Sequence, residues 1–115
     1  MKKQTNFLEQ KPNIFFLGIG GVKALLDKYV LKAEFVAPRL WMDPHTIDGG
    51  YMSARKEDRE FAMWRSFRSI DIARELGCDL IVLWLAREGT LCAESKSPVW
   101  ATRQLVSAID QMLDY

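Results

Sequence analysis

The chain has 115 residues, 49% of them hydrophobic and 27% charged, with a formal net charge of +1. That length fits one small domain with its own core, and the near-neutral balance gives no drive toward nucleic acid or an anionic membrane surface. A single histidine, His45, and two cysteines outside any Cys-x-x-Cys motif, Cys78 and Cys92, argue against a zinc site and for reduced thiols in a cytoplasmic protein.

Residues 1–13 are polar and without period, and read as a tail. The run IFFLGIGGV over residues 14–22 is broken by glycines and is shorter than the roughly 18 apolar residues of a membrane span. No small-residue cleavage motif follows it, and Lys23 and Asp27 interrupt instead, so it is not read as a secretory leader either. Gly18, Gly20 and Gly21 suggest a nucleotide loop, but Lys23 stands where the last glycine of a GxGxxG motif belongs and no Walker lysine follows.

Val22, Leu25, Leu26 and Tyr29 recur at spacings of three and four, which predicts a short amphipathic helix over residues 22–29. Residues 34–40 (EFVAPRL) are a candidate strand, ended by Pro38 rather than set centrally in a ladder. A loop follows, with Asp43-Pro44 and Asp48-Gly49-Gly50 as turn signals. Ser53 is placed to cap a long helix whose start carries Asp58 and Glu60 and whose apolar face includes Phe61, Trp64, Phe67 and Ile70. Arg59, Arg65, Arg68 and Arg74 alternate with acidic residues and read as a solvated face. Gly77 stops this helix. Residues 80–84 (LIVLW) are continuously apolar, as a strand covered on both faces would be, and a last helix is expected over residues 99–112.

Strand, loop, helix, strand, loop, helix makes a βαβα unit of an α/β fold. A right-handed crossover sets the strands parallel, with both long loops on the edge where such folds bind ligands. Two strands close no sheet, so the chain is expected to be an incomplete (β/α)8 TIM barrel or a small open α/β domain. Residues 1–20 are left as an unassigned segment and residues 21–115 as the partial barrel domain.

Three segments carry a family resemblance. PRLWMDPHTIDGGYMS, RSFRSIDIARELGCD and VLWLAREG resemble, in order and spacing, three motifs of the xylose isomerase family of metal-dependent sugar isomerases. These are the loop after that family's third strand, the helix that follows, and the Trp-Gly-Gly-Arg-Glu-Gly that ends its fourth strand. The resemblance implies the third and fourth strand–helix units of a TIM barrel. It also implies a hydride shift between C1 and C2 of an aldose beside two divalent metal ions (Mg, Mn or Co) in a homo-oligomeric complete enzyme. Trp41 stands where the family has phenylalanine and Leu85-Ala86 where it has Gly-Gly, which points to xylose or a related sugar such as rhamnose.

By the same resemblance Trp84 walls the sugar pocket, Trp41 forms a second wall, and Arg87 and Glu88 support the loop or an interface. The family's histidine–aspartate pair and its metal ligands have no counterpart here. The family's loop histidine precedes the proline, where this chain has Asp43, and His45 is read as a loop residue. The chain alone is therefore expected to have no catalytic residue, no metal site and no isomerase activity. A free-standing sugar-binding α/β domain and a truncated relic are the alternatives. IDQMLDY ends in a helix where a barrel's next strand would begin, which leaves an unpaired parallel edge and weighs against a native small domain.

Overall fold

The computed structural model describes residues 18–85, 88 and 95–115. Three helices dominate it: α1 (Ile19–Lys28), α2 (Lys56–Leu76) and α3 (Pro98–Asp114), with a short 3-10 turn at Pro44–Thr46. Helix α2 is central and packs against α1, the 3-10 turn and α3.

The expected pair of strands is corrected. Among the described residues no strand ladder forms, and the extended segments around residues 36 and 81 meet at a single parallel bridge, Val36 to Ile81. Val36 N–H donates to Leu80 O at 3.0 Å, and Val82 N–H donates to Val36 O at 2.9 Å. In that register the next donor toward the second segment belongs to residue 38, and Pro38 has no N–H to give. The ladder therefore stops after one step. Nor is the LIVLW run covered on both faces, since Leu80 is 51% exposed and Trp84 is 64% exposed. The described residues are thus mostly helical and do not form the βαβα barrel fragment with a parallel sheet that the apolar runs suggest.

The helices follow their sequence signals more closely. Helix α1 begins earlier than the apolar spacing predicts, taking in Gly20 and Gly21, and none of its residues is buried. Arg55, rather than Ser53, occupies the N-cap of α2, while Glu57 and Asp58 supply the negative charge of its first turn. Gly77 ends α2 in the left-handed region at φ 67°. Helix α3 opens with Ser97, whose hydroxyl accepts from Trp100 N–H, followed by Pro98 at a position that needs no donor.

The core is small. Leu40, Tyr51, Ala62 and Ala108 form it, with Met63, Leu83, Leu105 and Met112 packed against them. Helices α2 and α3 run side by side in the same direction. Arg59 lies over the Trp100 ring at their N-terminal ends, and Tyr115 stacks on Phe67 beyond the end of α3.

Candidate functional site

The loop over residues 41–55 is organised from within by short polar side chains. Asp43 Oδ1 accepts from His45 N–H at 3.1 Å, and Asp43 O accepts from the hydroxyl of buried Thr46 at 3.0 Å. Pro44 then starts the 3-10 turn. His45 Nδ1 lies 3.1 Å from Asp58 Oδ1, while Ser53 Oγ donates to Asp58 Oδ2 at 3.0 Å. A carboxylate only accepts, so Nδ1 is the donor in the first of these bonds. The imidazole also stacks on Phe61, with ring centroids 4.9 Å apart. His45 is thus a loop residue joined to the first turns of α2.

Glu88 provides the longest-range link. Its Oε1 accepts from Gly50 N–H at 2.8 Å and Tyr51 N–H at 2.7 Å, and its Oε2 accepts from Met52 N–H at 3.0 Å. Three successive backbone amides converge on one carboxylate, a nest closed by a side chain of the protein itself. Gly50 fits the space: a Cβ there would stand 2.9 Å from Ala62 Cβ and 3.1 Å from Glu88 Oε1.

A second tie holds the same loop. Lys96, whose side chain is 4% exposed, donates to Asp48 O at 2.9 Å and lies 3.2 Å from Asp48 Oδ1. Burial opposes ionisation of Asp48. The Ala54 N–H bond and the Lys96 ammonium outweigh it and hold this carboxyl below its ordinary range. Tyr51 is buried beneath the loop, 1% exposed. Ser66 Oγ donates to Ala62 O, so the Tyr51 hydroxyl donates to Ser66 Oγ at 2.6 Å. Burial pushes the Tyr51 phenol up to about 12, and the nearby Glu88 charge adds to the rise against the Ser66 bond. Burial lowers the Arg65 guanidinium, partly offset by Asp43.

The expected pocket residues stand apart. Trp41 is 42% exposed, with the Arg39 guanidinium 5.4 Å from its ring centre, and Trp84 is exposed beyond the parallel bridge. No ring contact joins the two indoles among the described residues. Arg87 and Cys92 lie outside the described residues, and Cys78 is buried with a free thiol. A surface cleft of about 410 Å³ opens instead between α2 and α3, lined by Lys56, Arg59, Trp64, Phe67, Gln104 and Gln111 among others. Neither Trp41 nor Trp84 reaches it.

Among the described residues, no group of three or more His, Cys, Asp or Glu side chains could hold a metal ion. His45 and Asp58 bond to each other rather than facing a common centre. These donors do not fit a divalent ion. No helix among the described residues is long and apolar enough to cross a membrane. The histidine–aspartate–serine array and the buried Lys96 are not evident from sequence. Ser53 and Asp58 share the signature of a helix start, and nothing in the spacing links them to His45.

Comparison with known proteins supports the resemblance over part of the chain. Xylose isomerase of Thermus caldophilus is 37% identical over 67 residues, which is 58% of this chain and 17% of that enzyme. Xylose isomerase of Thermus thermophilus is 36% identical over 67 residues, again 58% of this chain and 17% of the enzyme. The chain thus matches about a sixth of the length of these relatives. No family model matches it.

Proposed function

We propose that this chain is a segment of a cytoplasmic, metal-dependent aldose–ketose isomerase, the complete enzyme acting on xylose or a related sugar such as rhamnose. The observation that carries the reading is the likeness to two xylose isomerases over 67 residues. In this reading the metal ligands and catalytic residues of the complete enzyme lie outside the chain, and the chain alone does not isomerise sugar. Trp41 and Trp84 wall the pocket of the completed enzyme, where an apolar indole face packs against sugar C–H groups and excludes water from the hydride shift. Arg87 and Glu88 are supporting residues. The three amide bonds to Glu88 favour that role, because they join the loop after the first extended segment to the end of the second. The complete enzyme is a homo-oligomer.

The test is a chimera in which this chain replaces the matching segment of the Thermus thermophilus xylose isomerase. The expected product is a folded isomerase. Within it, Trp84→Phe lowers kcat/KM about tenfold, equivalent to roughly 1.4 kcal/mol of transition-state binding, without unfolding the protein. Trp64→Phe, a change on α2, alters stability and leaves kcat/KM near the parent value. A folded but inactive chimera, or equal kinetic effects at Trp64 and Trp84, overturns the assignment.

A further inference from the structure

One side of α3 is committed to the core: Ala101 and Ala108 are buried there, and Leu105 and Met112 pack beside them. The opposite side carries Val99, Val106 and Leu113, exposed by 60%, 51% and 79%. These residues recur every seventh position, so they form one stripe that drifts only about 20° per repeat along the helix. Arg103 and Asp110, also seven apart and exposed, run beside the stripe. Neither has an ion-pair partner among the described residues.

We propose that this face of α3 binds the same face of a second copy of the chain, with the two helices antiparallel about a two-fold axis at Val106. The charges select this occupant and this direction. Arg103 lies three residues before Val106 and Asp110 four after it, so reversing the second helix about Val106 sets Arg103 beside Asp110 of the second copy. The same operation repeats the pair on the other side of the axis. Val99 then meets Leu113 of the second copy, and Val106 meets itself, giving an apolar seam flanked by two ion pairs. A parallel pairing in register sets each charge level with its own duplicate but on the opposite flank of the seam, and loses this match. One helix pair buries less than a standard interface of about 1,600 Å², so the dimer is weak and concentration-dependent.

The full chain is examined by sedimentation from about 10 µM to about 1 mM, a range suited to an interface below standard size. A monomer–dimer equilibrium is expected, weakened about tenfold by Arg103→Asp and restored when Asp110→Arg is added. Val106→Lys, which puts two ammonium groups on the axis, abolishes it. Circular dichroism confirms that these exposed substitutions leave the helices formed. In a Cys92→Ser background, mild oxidation traps a covalent dimer of Val106→Cys. Val99→Cys and Leu113→Cys give none singly and give one when mixed. A chain monomeric throughout the range, or association indifferent to the charge changes, overturns the proposal. So does self-crosslinking of Val99→Cys, which requires parallel helices.

Discussion

Glu88 concentrates more of the loop's order than any other described side chain, because three amides of consecutive residues depend on its two oxygens. Hydrogen bonds to a charged acceptor are worth more than neutral ones, and removing the acceptor leaves donors unsatisfied. Glu88→Gln is therefore expected to destabilise the fold by about 2 kcal/mol, within the range for lost charged hydrogen bonds. Thermal unfolding measures the total, and faster hydrogen exchange confined first to the amides of Gly50, Tyr51 and Met52 locates it. The buried Tyr51 phenol adds a pH dependence of known sign. An unfolded tyrosine loses its proton near pH 10, whereas folded Tyr51 keeps it up to about 12. Between those values the folded state holds the extra proton, so the stabilising contribution is complete below about pH 10 and is lost as the pH rises toward 12. Alkaline denaturation midpoints should show that decline, and Tyr51→Phe should flatten it while weakening the fold through loss of the Ser66 bond.

At the scale of elements, two helices end in the same hydrogen-bond pattern with different residues in its left-handed position. Cys78 N–H donates to Ala73 O and Gly77 N–H to Arg74 O at the end of α2. Leu31 N–H donates to Leu26 O and Val30 N–H to Asp27 O at the end of α1. Both are Schellman closures. Gly77 adopts φ 67° without a Cβ to clash, whereas Val30 holds φ 54° with a branched side chain and is 92% exposed. The left-handed conformation costs an L-residue about 1–2 kcal/mol, part of which glycine gives back through its freer unfolded chain. Val30→Gly should consequently raise stability by about 0.5–1 kcal/mol, and Gly77→Ala should lower it by about 1 kcal/mol. Chemical denaturation of both variants checks the opposite signs. If Val30→Gly is destabilising, Val30 makes a contribution other than closing the helix.

Across the whole molecule, the helices were more readable in the sequence than the segments between them. Spacings of three and four residues and Gly77 are local signals, and α2 and α3 follow them. The strands were less so, because LIVLW has the composition of a buried strand, but burial needs neighbours that composition cannot supply. Pro38 carried the decisive information, yet its effect depends on register: only the Val36–Ile81 pairing shows that residue 38 must donate next. The candidate site divides in the same way. The motifs point to the turn at Asp48-Gly49-Gly50 and to Glu88, while the bonds between them, and those joining His45 to Asp58 and Lys96 to Asp48, connect residues far apart in sequence.

The two ties on the loop also impose an order in time. Asp48 and Gly50 are made well before their partners Lys96 and Glu88, which lie 48 and 38 residues later in the chain. Helix α2 lies wholly between them in the chain. A chain emerging from a ribosome therefore exposes the amides of Gly50, Tyr51 and Met52 until Glu88 has followed them. Closure waits for Glu88, and the buried ammonium of Lys96 seals it only after that. Synthesis thus leaves an interval in which the residues of α2 are already made, and the loop takes its final form only once residues made well after them have arrived.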